Sequence, residues 1–229
     1  ITDEMFLLNP KYYLPLCKML AERNEKNNLR LWAYSRIDTV KRQEVLDTVR
    51  KAGIKWLCLG IESGDKNVRL EVSKGKFEDV DVSKVIDQIH SSGIQVMANY
   101  IFGLPGDTID SMSKTLELSI QLNTLGWNAY GAMALPGSEL YSLAKKNNLE
   151  LPNSYEGYSF HSYETLPLAN ENLSAAEILK FRDEAFLKYH KNPKFLDKVK
   201  KIFGQRAVEN IEQINKVKLK RKILEKTNN

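Results

Sequence analysis

The sequence has few cysteines, few histidines and no long apolar run, and each shortage excludes something. Cys17 and Cys58 are the only cysteines among 229 residues and stand 41 positions apart (58 minus 17). That leaves no disulfide framework and no local metal-ligand spacing. Free cysteines of this kind are habitually buried, so both read as reduced core thiols. His90, His161 and His190 share no ligand spacing and read as surface or helix histidines. No stretch of about 18 uncharged apolar residues exists, so no membrane partner is expected. The opening ITDEMFLLNPKYY lacks the basic, apolar, small-residue order of a secretory signal, and the expected compartment is the cytoplasm. No GxSxG nucleophile elbow occurs. GIESGDK, residues 60–66, has three residues between its glycines where a phosphate loop needs four, and no Ser or Thr follows the lysine.

With 42% apolar residues the chain can bury one sizeable core, which points to one domain plus an appendage. Charge is uneven. Residues 180–229 carry 15 Lys and Arg against 6 Asp and Glu, a surplus of 9 over a body that is mildly acidic. Such a tail could follow phosphates, but few aromatics interleave it, so a solvated helical face is favoured over nucleic-acid contact.

Short β-branched or aromatic runs alternate with longer amphipathic stretches, the pattern of successive βα units on a parallel sheet. Strands are expected at 29–37, 55–63, 94–102 and 127–135, and helices at 10–25, 43–53, 80–93, 107–126 and 138–147. Residues 151–172 form a long polar and aromatic connection of the kind that commonly lines a site. A capping box from Ser174 to Glu177 then opens a helix, and KFLDKVKKIF and AVENIEQINKVKLKRKIL read as two more.

Right-handed crossovers put every strand C-terminus on one rim, and the residues there form a coherent set. Arg36 and Glu62 offer a fixed cation and a fixed carboxylate, complementary to a zwitterionic ligand, and Gly103 to Gly106 bring bare backbone close to it. Arg36 could equally pair with Glu62 or Asp38 as a structural ion pair. Gly-Leu-Pro-Gly alone is a common turn.

The succession TDEMF, LRLWAYSRID, LGIESGDKNVRLEVSKG, a strand into FGLPGDT, then LPGSELY resembles the radical S-adenosylmethionine superfamily, in particular the branch that often carries an N-terminal cobalamin-binding domain. The resemblance covers residues 1 to about 145, and LSAAEILKFRDEAFLKYHKNP looks like the helical segment that follows the barrel there. It implies an α/β fold, a partial βα barrel over 1–150, with 151–172 as a connecting loop and 173–229 as a basic helical extension. It implies S-adenosylmethionine as cofactor. Glu62 and Ser63 match the strand motif that lies against its methionine or ribose part, Arg36 the arginine that partners its carboxylate, and Asn99 to Pro105, with Gly103 and Leu104, the segment on which adenine packs. The family's CxxxCxxC loop, whose thiolates hold a four-iron four-sulfur cluster, is absent.

The chain opens on Ile1 in what reads as a strand tail, so the expectation is the C-terminal part of a longer radical enzyme, inactive as it stands. The cluster, its reductant and, in that branch, cobalamin would belong to the parent. The substrate, small or macromolecular, is not named by any motif. Self-association through an open barrel edge is expected. Two alternatives stand beside this: a non-catalytic degenerate barrel that binds a nucleotide-like ligand or a protein partner, and a fragment of an RNA-modifying enzyme that uses the basic tail.

Overall fold

A computed structural model describes residues 1–73 and 80–226. Four strands, Leu31–Arg36 (β1), Ile54–Glu62 (β2), Gln95–Phe102 (β3) and Gly126–Gly131 (β4), form one parallel sheet in the order β1-β2-β3-β4. Chain order equals spatial order, so each connection steps once in the same direction, as in a βα barrel. Among the described residues no helix is long and apolar enough to cross a membrane.

The helices start and stop where local chemistry directs. Pro10–Asn27 (α1) carries Pro10 in its first turn and is capped by Asn9, whose side chain accepts from the Lys11 amide. Pro15 is absorbed inside it. Gln43–Lys51 (α2) is followed by Gly53 at φ +93°, and Val82–Ser91 (α4) by Gly93 at φ +72°, the left-handed exits that favour glycine. Between them lies Lys66–Ser73 (α3), a helix that the sequence pattern does not announce. Ile109–Leu122 (α5) and Glu139–Lys146 (α6) complete the βα alternation.

The sheet's two faces differ. Ala33 in β1, Leu57, Leu59 and Ile61 in β2, and Val96, Ala98, Tyr100 and Phe102 in β3 are all buried. The first two helices of the alternation, α2 and α4, turn buried aliphatic stripes inward: Val45, Leu46 and Val49 from α2, and Val82, Val85, Ile86 and Ile89 from α4. On the other face Trp32 and Tyr34 are 44% and 41% exposed, and β3 and β4 alternate between buried and half-buried positions. A parallel sheet ordinarily carries cover on both faces. Among the described residues this one leaves a face partly open, at Trp32 and Tyr34.

Two expectations shift. β4 leaves the sheet at Gly131 rather than continuing to 135, because Ala132 turns its amide to Phe102 O while its own carbonyl accepts from the Leu168 amide. The tail is broken: Ala175–His190 (α7), Pro193–Phe203 (α8) and Gln205–Ile214 (α9) are helices, but residues 217–221 are not, and a short helix Lys222–Lys226 (α10) follows.

The chain divides into two compact units. The first comprises Ile1–Glu62, Gly75–Tyr100 and Leu122–Asn128, and the second comprises Ser63–Lys74, Ile101–Gln121 and Ala129–Asn229. Within the first, among the described residues, no strand pairs with the outer edge of β1. We propose that this unpaired edge recruits a second chain. Sedimentation velocity at high concentration should then show a dimer; a monomer at every concentration would overturn this.

Candidate functional site

In the first unit the register aligns Arg36 with Gly60 and Gly60 with Asn99, one row across three strands. One step nearer the strand starts, Tyr34, Cys58 and Met97 form the row below. These rows lie on the open face, and a polar belt crosses them. Asn99 Nδ2 donates to Cys58 Sγ at 3.1 Å and to Leu59 O at 3.2 Å, while Asn128 Nδ2 donates to Asn99 Oδ1 at 3.0 Å. The Tyr34 hydroxyl reaches the same thiol. Each strand thus contributes one polar side chain. Burial pushes the Cys58 thiol up, with the Asn99 and Tyr34 hydrogen bonds opposing. Burial also pushes the Cys17 thiol up, to about 11.

Arg36 does not reach Glu62. Its guanidinium faces Asp38, with Nε donating to Oδ1 at 2.9 Å and Nη2 pairing with Oδ2, so the ion-pair alternative is the one formed. Thr39 Oγ1 donates back to Arg36 O at 2.8 Å and ties off the strand end.

Glu62 is the strained residue of the site. The ladder register slips between Gly60 and Glu62, a β-bulge, and Glu62 itself sits at φ +65°. Among the described residues the other non-glycine positions at positive φ are Asn28, Asn123 and Asn148, a residue type that tolerates this region. A glutamate there carries a cost that cores do not retain without reason. Bulges re-aim side chains beside sites: the Glu62 carboxylate folds back over Gly60, so close that a Cβ on Gly60 would clash with Oε1. The side chain is half-buried, and desolvation raises its pKa from the usual glutamate range. Among the described residues no donor or cation answers it.

In the second unit the Gly-Leu-Pro-Gly turn is held from inside. Asp107, 1% exposed, accepts the Gly103 and Leu104 amides on one oxygen at 3.0 Å each, and the Ser111 hydroxyl on the other at 2.5 Å. Burial pushes its pKa up against these three donors. The helix cap falls to Thr108, which exchanges reciprocal bonds with Ser111. Asn170 Nδ2 donates to Leu104 O at 2.8 Å and Glu171 Oε1 accepts the Gly106 amide at 3.0 Å. Gly103 is glycine because its φ is +80° and a Cβ would meet Ile178 Cδ1 at 2.5 Å. Gly103 and Pro105 line a cleft of about 330 Å3 with Ala132, Leu140 and Leu168. Ser63 Oγ lies 3.2 Å from Thr115 Oγ1 and accepts the Asp65 amide. A larger hollow, about 470 Å3, opens among Trp32, Lys55, Trp56 and Met97 at the strands' starting ends, opposite to where parallel sheets hold ligands.

Sequence reasoning missed the belt partners Tyr34 and Asn128 and the role of Cys58. Their signal was the alternation of LRLWAYSRI and WNAYGAMAL, which places Tyr34 and Asn128 on a face without showing that the face is open.

The chain is a member of a family of known chemistry: the Radical SAM superfamily model matches residues 3–119, just over half of the 229, and the chain belongs to that superfamily. Individual relatives are distant. It is 23% identical over 205 residues to the uncharacterized methyltransferase PH0819 of Pyrococcus horikoshii, covering 88% of this chain and 42% of that protein. With the tryptophan 2-C-methyltransferase of Streptomyces laurentii it shares 23% over 151 residues, 59% of this chain and 24% of the other. Two solved folds are alike: the radical S-adenosylmethionine methyltransferase TsrM from Kitasatospora setae, with cobalamin and a [4Fe-4S] cluster bound, at TM-score 0.51, 22% identity and coverage of 58% and 25%; and the archaeal Methanocaldococcus infernus Elp3 at 0.53, 19%, 85% and 45%. The chain therefore spans less than half the length of each of these proteins.

Family chemistry implies S-adenosylmethionine and an iron–sulfur cluster. The cluster does not fit these residues. Three thiolates are needed, whereas Cys17 and Cys58 are both buried and desolvated, and no group of three metal-ligating side chains occurs among the described residues. A cationic ligand does fit the unanswered carboxylate at Glu62.

Glu62→Gln should stabilise the protein. A carboxyl whose folded pKa is raised binds more protons folded than unfolded between the two values, so its contribution falls as pH rises through that window. At neutral pH the neutral variant should melt about 2 to 4 °C higher, the shift that roughly 1 kcal/mol produces at this size. The difference should vanish below the ordinary glutamate pKa; an equal melting temperature at every pH would contradict the assignment.

Proposed function

We propose that this chain supplies the S-adenosylmethionine-holding part of a radical methyl-transfer enzyme. The observation that carries the reading is Glu62: a left-handed glutamate on a bulge, carboxylate unanswered, over a glycine that leaves it room, in a chain of the Radical SAM superfamily. Burying a carboxylate is costly, and a ligand's ammonium or hydroxyl donors would repay it when bound. Arg36, with Asp38 fixing its fork, is assigned to the carboxylate end of the ligand, and the belt orients Asn99 by using both ends of its amide. Ser63, Gly103, Leu104 and Pro105 keep their assignment to the cofactor as part of the same proposal, and the apolar lining of the cleft at Gly103 and Pro105 supports contact with a flat ring.

Methyl transfer is supported by the relatives, several of which are named as methyltransferases. S-adenosylmethionine supplies an activated methyl group and, on reductive cleavage, an adenosyl fragment. The residues of this chain bind and orient it; they do not provide the thiolates for an electron-delivering cluster, and the chain alone should not cleave its ligand. Cobalamin and the substrate fall outside what its side chains can assign.

Isothermal titration with S-adenosylmethionine and S-adenosylhomocysteine tests the reading. One saturable site is expected for each. Glu62→Gln should weaken binding about tenfold, the value of a charge-assisted hydrogen bond, and wild-type affinity should fall as pH drops through the raised Glu62 pKa while the variant stays flat. Absence of heat with both ligands, or equal affinity for the variant, would overturn it.

A further inference from the structure

The pattern AVENIEQINKVKLKRKIL predicts a helix through to Leu224, yet α9 stops at Ile214. The break lets Arg221 turn inward. Arg221 is only 2% exposed, although it is a residue type that is rarely buried without partners. Its Nε and Nη2 donate to both oxygens of Asp183 at 2.8 and 3.0 Å, and its Nη1 donates to Ser162 O at 2.9 Å and Thr165 Oγ1 at 3.1 Å. The next residues grip the same loop. The Lys222 amide donates to Tyr163 O at 3.0 Å, the Lys222 ammonium to both Glu164 oxygens at 2.7 and 3.0 Å, and the Tyr163 hydroxyl to Glu225 Oε2 at 2.6 Å. Every residue from Ser162 to Thr165 is thus bonded to the segment 221–225.

Asp183 connects this grip to the sheet. It also accepts from Arg182 Nη1 at 2.9 Å, and Arg182 Nε donates to Ala129 O in β4 at 2.8 Å. The adjoining residue, Tyr130, meets the ring of Phe160 from the gripped loop at 4.8 Å between centroids. Tyr130 is near the C-terminal end of β4, where parallel sheets of this class hold ligands.

We propose that Arg221–Glu225 is a clasp that sets loop 159–165 on β4, with Arg221 as the positioning residue for an aromatic wall made by Tyr130 and Phe160. The clasp stands on the contacts above. The wall's use by a ligand rests on the reading of the previous section.

Hydrogen exchange without ligand tests the clasp. Arg221→Met should speed exchange of the amides from Ser159 to Leu166 by about tenfold or more, with the α7 amides within about twofold. Arg221→Lys should not restore protection, because one ammonium cannot fork onto Asp183 and reach Ser162 as well. An equal rise across α7, or no rise in the loop, would overturn the clasp. If Arg221→Met does not fold, the variant pair Tyr163→Phe and Lys222→Met, both at surface contacts, should give a smaller rise confined to the loop; unchanged exchange there would also overturn it. The wall is tested by stopped-flow dissociation of S-adenosylhomocysteine, which Arg221→Met should speed about threefold or more while association stays unchanged. A faster loop with unchanged dissociation would remove the positioning role. If that ligand does not bind at all, the cofactor reading fails, and the exchange result still decides the clasp.

Discussion

A carboxylate taken out of water must be answered by donors, and three acidic residues of this chain meet that constraint in different ways. Asp107 is answered three times, by two amides of its own turn and by Ser111. Asp183 is answered by two arginines, one of them brought from 38 residues along the chain. Glu62 is answered by none of the described residues, yet it is held in a left-handed conformation at a bulge. The first two have the bonding of structure. The third has no such bonding among the described residues, and that contrast is what sets Glu62 apart from the other two.

The parallel sheet makes the contrast readable. One face is sealed with aliphatic and aromatic side chains, so polar groups there are few. The open face collects the polar belt and the row of Arg36, Gly60 and Asn99. Because the amide of Asn99 is engaged at both ends, its orientation is fixed by Cys58 and Asn128 rather than chosen on ligand binding. Preorganisation of that kind lowers the cost of association. It also means that Asn99 contributes mainly as a surface, since its best donors are already spent on the protein.

Much of this was legible in the sequence because βα units advertise themselves. Gly53 and Gly93 mark helix exits, Ser174 and Glu177 mark a start, and the strand-end residues follow from alternation alone. Position along a strand is a local property. Pairing is not: whether Arg36 meets Asp38 or Glu62 depends on a bulge at Ile61 that has no signature in KWLCLGIES, and the structure chose the neighbour two residues away. The helix α3 was hidden for a related reason. Its residues KNVRLEVS mix polar and β-branched types, and an Asp65 side chain accepting the Asn67 and Val68 amides starts it. The tail escaped because a helical pattern through 224 was outweighed by one buried guanidinium that finds four bonds elsewhere.

The glycines of the Gly-Leu-Pro-Gly turn invite the idea that bare backbone exists for a ligand. Within the second unit the geometry gives Gly103 another reason first. Its missing Cβ makes room for Ile178 of α7, as Phe102 meets Phe181 with ring centroids 5.1 Å apart and Gly131 takes Pro167 against its own bare Cα. Arg182, on the same helix, holds the Ala129 carbonyl. Side chains three and four apart on one helix lie on one face, so Ile178, Phe181 and Arg182 present a single surface to the ends of β3 and β4. The turn's shape is therefore set jointly by Asp107 from below and by α7 from the side. The backbone of this turn thus has a conformation that depends on residues more than 70 positions further along the chain, and the helical extension helps to shape it.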